Sequence, residues 1–339
     1  MLRRLFPDGV PVLWCPPLTH YNEQGGIDRA RMAAHLWHLA PYIKGFLVPG
    51  STGDGWELSD RERRQVLAVA LEQAQKLKAH LLVGVLKAKA SEAVALVRRD
   101  VEWLKTRVGE RDTARALAAA RVRAFTVCPP RGKGLAQAQI QCALASILEL
   151  GLPVALYQLP QMTQNEMSAA AARELAERFA NFLLFKDSSG TDRVALAGNG
   201  LGGVFTTRGG EGDYARWLKV TGGPYDGFLL GSANCFAREL HQVIQDISAG
   251  RLEAAQRLSK RLTAAVCEVS QSVAGLPGGN AFAQANKALD HFFAYGPRAA
   301  EVPPPRLHSG RRLPVAVIRA TSQILAQQEL MPANGYLGT

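Results

Sequence analysis

The sequence predicts a closed (β/α)8 TIM barrel followed by a C-terminal helical extension. Two observations carry this prediction. Eight short apolar runs follow one another along the chain, and amphipathic helical patterns separate them. The runs are continuously apolar rather than alternating, which is typical of strands that helices cover on both faces. Eight successive β-α units are the number that a closed barrel requires.

The predicted strands lie at residues 10–14, 45–49, 81–86, 122–128, 153–157, 182–186, 203–206 and 226–230. A doubly wound open sheet is the alternative fold. Such a sheet usually carries a glycine-rich phosphate loop after its first strand, and Cys15-Pro-Pro-Leu-Thr at that place is not one.

Helices are predicted between the strands at residues 28–40, 59–77, 91–104, 135–150 and 168–180. Asp28 is a candidate N-cap, and Ser59 with Glu62 forms a capping box. After residue 235 the pattern is helical, at 237–248, 251–272, 280–293 and 315–328. The sequence therefore predicts a barrel over residues 1–235 and an extension over 236–339, with a mobile tail after Pro332.

Composition limits the partners and the compartment. The chain has 339 residues, is 47% hydrophobic and carries a formal charge of +11. Its apolar runs are too short for a membrane span, and its basic residues form no nucleic-acid-binding motif, so neither partner is expected. The five cysteines are widely spaced and form no C-x-x-C or metal pattern. We therefore expect reduced thiols, no metal and a cytoplasmic protein.

Lys186 is the first candidate for chemistry. It ends the apolar run 182–185 and precedes a polar turn. A buried lysine either finds a partner or loses its proton, and a neutral amine can form a Schiff base with a carbonyl. The alternative is a strand-end lysine that reaches solvent, with Asp187 capping the next helix.

Further polar groups follow other strands, at the barrel end where catalytic groups collect. The second strand runs into Pro49-Gly-Ser-Thr-Gly-Asp-Gly55, the fifth ends in Tyr157-Gln-Leu-Pro160, the sixth in Lys186-Asp-Ser-Ser-Gly190 and the eighth in Gly231-Ser-Ala-Asn234. In this order of motifs, the chain resembles the dihydrodipicolinate synthase/N-acetylneuraminate lyase family over about residues 8–300.

The resemblance implies a class I aldolase or lyase that needs no cofactor. Lys186 would form an imine with a 2-oxo acid, typically pyruvate, and Tyr157 would carry protons. Ser51 and Thr52 would hold the substrate carboxylate, and Ser51 would also exchange protons with Tyr157. Gly231 would turn a carbonyl toward the ligand. The expected partners are a small 2-oxo acid and an aldehyde, and the expected assembly is a homodimer or homotetramer.

The resemblance also implies secondary roles. Asp54 stands where the family usually has glutamate and would order its loop, and Asn234 would shape the turn after the eighth strand. Glu211 and Asp213 lie where sugar-acid aldolases of the family hold substrate hydroxyls.

Two features of the biosynthetic synthases are missing. The segment Val127-Cys-Pro-Pro-Arg131 has no tyrosine, and Gln161 and Met162 stand where an arginine is usual. We hypothesise instead that Lys87, Arg131 or Arg208 binds a distal anionic group of a different partner. The alternatives are 4-hydroxy-tetrahydrodipicolinate synthase activity, dehydration of a sugar acid, and a catalytically silent 2-oxo acid sensor.

Overall fold

A computed structural model describes residues 1–198 and 200–337. Eight parallel strands form a closed barrel in which each strand pairs with the next and β8 pairs with β1. The strands are β1 Leu13–Cys15, β2 Gly45–Val48, β3 His80–Val85, β4 Val122–Val127, β5 Val154–Gln158, β6 Phe182–Asp187, β7 Phe205–Arg208 and β8 Gly227–Leu229. The predicted fold class is confirmed.

The longer helices of the barrel alternate with the strands at Arg29–Leu39, Asp60–Leu77, Ala90–Val108, Thr113–Ala119, Gln137–Leu148 and Ala169–Arg178. Two of these helices begin at the predicted caps. The Asp28 side chain accepts a hydrogen bond from the Arg31 N–H at the start of the first helix. Ser59 and Glu62 form a reciprocal capping box. Short α-helices lie at Leu2–Leu5, Pro160–Thr163 and Arg193–Leu196, and 3-10 turns at Lys219–Thr221, Gly231–Asn234 and Gly296–Glu301.

The seventh strand begins two residues later than the sequence pattern suggests. Gly202 and Gly203 precede it, and Gly202 has a φ of +59°, a left-handed conformation that glycine adopts readily. The later start makes Arg208 the last residue of β7, paired with Asp187. This register determines the position of the Arg208 side chain.

Apolar side chains fill one end of the barrel interior. Trp14 lies there among apolar side chains that the other strands point inward, and Phe6 packs against its ring. A side chain at Gly45 would overlap the Trp14 ring, so the bulk of Trp14 requires a glycine on the neighbouring strand. With this end filled, space for a ligand lies toward the carboxyl ends of the strands.

The extension consists of the helices Ala237–Ser248, Leu252–Ser272, Ala281–Tyr295 and Val315–Gln327. The third of these is linked to the barrel by two ion pairs, Lys287 with Asp54 and Asp290 with Arg31. The end of the chain is hydrogen-bonded to the same helix through the Tyr336 N–H, which donates to the Phe293 carbonyl. The division at residue 235 and the mobility of the tail stay predictions. In the described ranges, no helix combines the length and apolar character needed to cross a bilayer.

Candidate active site

Strand pairing places Lys186 beside Tyr157. The two residues are in register on β6 and β5, so their side chains emerge on the same face. Lys186 is only 4% exposed, and its Nζ lies 4.0 Å from the centre of the Tyr157 ring. Lys186 is therefore not a strand-end lysine that reaches solvent, because its amine lies inside the barrel.

Burial changes the acid-base properties of both groups. It lowers the pKa of Lys186 from 10.5 to about 8, although interactions with Cys128, Glu211 and Cys15 oppose that shift. A neutral amine is therefore accessible near physiological pH. Burial raises the pKa of the Tyr157 phenol above its ordinary value of 10, so this group keeps its proton and can donate it.

Ser51 extends the pair into a chain of three groups. Its Oγ lies 3.4 Å from the Tyr157 hydroxyl and accepts a hydrogen bond of 2.9 Å from the Trp56 indole N–H. Its backbone carbonyl accepts from Asn280 Nδ2 at 3.1 Å. These contacts fix both the side chain and the backbone of Ser51.

The turn after β2 presents donors for an anion. Gly53, Asp54 and Gly55 use their N–H groups within the turn. In the described ranges, the N–H groups of Ser51 and Thr52 have no hydrogen-bond acceptor, and both residues line the cavity. Free backbone donors of this kind suit a carboxylate.

Asp54 holds this turn to the extension. It is buried and left-handed, with a φ of +59°. Its Oδ2 accepts from Lys287 Nζ at 2.8 Å and from the Tyr21 hydroxyl at 2.9 Å. With these partners it orders the turn and does not line the cavity.

Glu211 follows β7 and lies close to the β2 turn, beside Gly231. Its carboxylate accepts from the Ser232 N–H at 3.0 Å, the Ser232 hydroxyl at 2.6 Å and the Tyr214 hydroxyl at 2.8 Å. A side chain at Gly231 would crowd Asn286, Thr52 and Glu211, so a glycine leaves room at this point. The Gly231 carbonyl accepts from Asn234 Nδ2 at 2.9 Å, so Asn234 braces this turn.

A cavity of about 310 Å³ joins these groups. Lys186, Tyr157, Ser51, Thr52, Gly231 and Glu211 all line it. Two helices of the extension supply an apolar wall, through Val266, Phe282, Ala285 and Leu289. Among the lining residues, Lys186 is the cation and Glu211 the anion.

The other candidate cations lie elsewhere. Arg208 is buried against Asp192, with Nε–Oδ1 at 3.0 Å and Nη2–Oδ2 at 3.1 Å, and its guanidinium stacks on Trp217. Because Lys186 faces the interior in register with Thr207, the next residue Arg208 points to the outer face of the strand. Its remaining donor, Nη1, binds the carbonyls of Gly210 and Gly212.

Arg131 and Lys87 are likewise not among the residues that line the cavity. Arg131 is exposed, donates to the Met162 carbonyl and lies over the Trp56 ring. Lys87 pairs with Asp60 at 3.2 Å. Asp213, the second acid after the seventh strand, also lies outside this lining.

Sequence reasoning missed Trp56, Lys287 and the wall from the extension. Trp56 had a signal, since a large aromatic residue directly follows the glycine-rich turn. Lys287 had one as well, because it interrupts a mostly apolar helical run between Ala281 and Phe293. The wall residues look like ordinary core positions, so their role depends on how the extension packs.

Fold and site together define a (β/α)8 barrel protein with a buried lysine near the carboxyl end of β6. No protein-family model matches the sequence. An uncharacterized DapA-like lyase of Rhizobium meliloti is 29% identical over 171 residues, covering 50% of this chain and 51% of that protein. The 4-hydroxy-tetrahydrodipicolinate synthase of Bartonella bacilliformis is 23% identical over 209 residues, covering 61% of this chain and 65% of that protein. The 4-hydroxy-tetrahydrodipicolinate synthase of Azoarcus sp. is 27% identical over 252 residues, covering 72% of this chain and 78% of that protein.

Solved structures show the same fold. A dihydrodipicolinate synthase has a TM-score of 0.70 at 15% identity, with 95% of this chain and 100% of that chain covered. A prophage protein of the dihydrodipicolinic acid synthase family from E. coli K12, solved with pyruvate, has the same score and coverage at 17% identity. The chain spans about half of the Rhizobium relative and 65% of the Bartonella one. The predicted resemblance is confirmed: these relatives and structures carry dihydrodipicolinate synthase-family names, and the chain is similar to all of them at low identity.

Proposed function

We propose that the protein is a class I aldolase or lyase that forms a Schiff base with a 2-oxo acid of the pyruvate type. One observation carries the proposal: the buried Lys186 amine, with a pKa of about 8, lies over Tyr157 in a cavity that also presents free N–H groups. An amine of this kind attacks a carbonyl, and the N–H groups of Ser51 and Thr52 bind the adjacent carboxylate.

The imine forms in two steps. The amine of Lys186 adds to the carbonyl carbon, and the carbonyl oxygen becomes a hydroxyl. Tyr157 then gives its proton to that hydroxyl, which leaves as water, so that a protonated imine and a phenolate remain side by side. The opposite charges of this pair stabilise each other in a buried site.

Cleavage uses the imine as an electron sink. The phenolate of Tyr157 takes the proton of the substrate's 4-hydroxyl, the bond between C3 and C4 breaks, and its electron pair passes to the imine nitrogen. An aldehyde leaves, and an enamine remains on Lys186. Protonation of C3 and hydrolysis release the 2-oxo acid, and condensation is the reverse sequence. Because the imine itself accepts the electrons, the proposed reaction needs no cofactor.

The synthase reaction is the second candidate, since several relatives carry that name. Its aldehyde partner bears a carboxylate, which needs a cation at the acceptor end of the cavity. Among the described residues that line the cavity, Lys186 is the one cation, and Arg131 and Arg208 contact other groups. This charge distribution favours an aldol partner without a distal carboxylate.

Two further candidates use the same site. Dehydration of a sugar acid would start from the same imine, and the hydrogen-bonding capacity of Glu211 suits a hydroxylated substrate. A silent sensor would bind a 2-oxo acid without covalent change. Because binding alone requires neither a low-pKa amine nor a phenol beside it, Lys186 and Tyr157 favour an enzyme.

We also propose a homodimer or homotetramer, as the family resemblance implies, and a cytoplasmic location. The location is supported by the five cysteines, all of which are free thiols. Sedimentation of the purified chain tests the assembly.

A panel of 4-hydroxy-2-oxo acids, with and without a distal carboxylate, tests the proposed activity. We expect pyruvate release from at least one substrate without a distal carboxylate. In Tyr157→Phe the rate of release should fall at least a hundredfold. Lys186→Ala should release none. Turnover by Lys186→Ala equal to that of the wild type would contradict the proposal, and a preference for carboxylate-bearing partners would favour the synthase alternative.

A further inference from the structure

Trp56 donates a hydrogen bond to Ser51, a side chain of the proposed proton relay, without lining the cavity itself. Its indole Nε1 donates to Ser51 Oγ at 2.9 Å, and this Oγ lies 3.4 Å from the Tyr157 hydroxyl. We propose that Trp56 is a positioning residue that orients the Ser51 hydroxyl so that it donates to Tyr157. The inference rests on the proposed Schiff-base function.

The chemistry of the two side chains fixes the direction of the hydrogen bond between Trp56 and Ser51. An indole N–H is a donor and cannot accept, so Ser51 Oγ must be the acceptor toward Trp56. The Ser51 proton then points away from Trp56, and the hydroxyl of Tyr157 is its neighbour on the other side. With that proton assigned to Tyr157, the proposed order is Trp56 to Ser51 to Tyr157, and every bond is donated toward the phenol oxygen.

This order matters at the step that makes a phenolate. When Tyr157 gives its proton to the departing hydroxyl, its oxygen becomes negative inside a buried site. A hydrogen bond donated by Ser51 stabilises that charge, and the Trp56 N–H polarises the Ser51 hydroxyl further. The phenolate then takes a proton from C3 of the bound imine, which gives the neutral enamine and restores the phenol.

The ring of Trp56 is held in place for this task. It packs against the buried cluster of Leu86, Cys128, Tyr157 and Leu159. The guanidinium of Arg131 lies 5.6 Å from the centre of the ring and is itself tied to the Met162 carbonyl. Cys128 belongs to the segment after β4, which offers no tyrosine hydroxyl to Ser51. All the groups of the proposed relay therefore come from one chain.

Exchange of the pyruvate methyl protons in D2O, followed by NMR, tests the role without knowledge of the aldehyde. Each exchange requires imine formation, loss of a proton from C3 and return of a deuteron. In Trp56→Phe, which keeps an aromatic ring and removes the donor, we expect exchange about tenfold slower. The pyruvate concentration at half-maximal rate and the final yield of borohydride-trapped adduct should not change. Trp37→Phe is the matched control, since the Trp37 indole is half-exposed and donates to Gln73.

A second background separates orientation from packing. In Ser51→Ala the acceptor of the indole is gone, so adding Trp56→Phe should slow exchange no further. An equal loss in both backgrounds, or wild-type exchange in Trp56→Phe, would overturn the inference. If the wild type itself forms no trapped adduct, the proposed function fails, and the inference fails with it.

Discussion

At the scale of single residues, the site depends on what burial does to one amine. Lys186 has no carboxylate partner within salt-bridge distance among the described residues, and its surroundings are a phenol ring and thiols. A buried charge without a close partner is costly, so burial lowers the pKa of the amine and makes its neutral form more accessible. The low pKa of this amine thus follows from its position in the barrel.

The pH dependence of imine formation follows from this shift. Attack requires the neutral amine, so the initial rate of adduct formation with pyruvate should rise with pH, bend near 8 and level off above it. Timed quenching with borohydride between pH 6 and 10, at one fixed low pyruvate concentration, measures that rate. A rate that keeps rising to pH 10 would show an ordinary lysine.

At the scale of elements, the helix Ala281–Tyr295 connects the extension to the site. It supplies part of the cavity wall, and its Lys287 is buried against Asp54 of the β2 turn. The same turn presents the N–H groups of Ser51 and Thr52. Packing of the extension therefore orders the part of the site that we propose as the carboxylate-binding part.

Loss of this ion pair should be costly. Lys287→Met leaves the buried carboxylate of Asp54 without its cation, which should lower the free energy of unfolding by about 3–5 kcal/mol. Urea denaturation measures the change. The double variant Lys287→Met with Asp54→Asn should recover part of the loss, because the unpaired charge is gone.

The matched control is Lys76→Met, which removes a pair with Glu72 at the surface. Its urea midpoint should stay at the wild-type value, since exposed pairs contribute little. If the Lys287 and Lys76 variants were equally stable, the extension would not be anchored in this way.

At the scale of the whole molecule, histidines buried in a neutral form should make the fold sensitive to acid. Burial lowers the pKa of His20, His38 and His291, and burial with the nearby arginines lowers that of His80 to about 4. Between the unfolded value near 6.5 and the lower folded values, the unfolded chain binds more protons. Stability should therefore fall as the pH drops through this window.

His80 offers a specific check of this sign. Its Nδ1 accepts from Arg123 Nε at 2.9 Å, and glutamine can replace that acceptor without titrating. The Tm of the wild type should fall more steeply between pH 7 and pH 5 than that of His80→Gln. Parallel curves for the two proteins would contradict the assigned shift.

The barrel was predictable because most strands are apolar runs and most of the long helices have a local cap or an amphipathic period. Lys186 and Tyr157 were predictable as partners because consecutive strands pair in register. Arg208 was harder to place, since a shift of two residues in β7 decides which face its side chain occupies. The contacts of Lys287 with Asp54 and of Asn280 with Ser51 join residues more than 200 positions apart, and no local pattern encodes them.

The most direct test of the central claim is reductive trapping with pyruvate and borohydride, followed by peptide mass mapping. The account predicts one adduct, equal in mass to pyruvate less one oxygen atom, on the peptide that contains Lys186. Lys186→Ala should gain no adduct, whereas Lys89→Ala, which removes a surface lysine, should be labelled like the wild type. An adduct on another lysine, or none with pyruvate and other 2-oxo acids, would contradict the account.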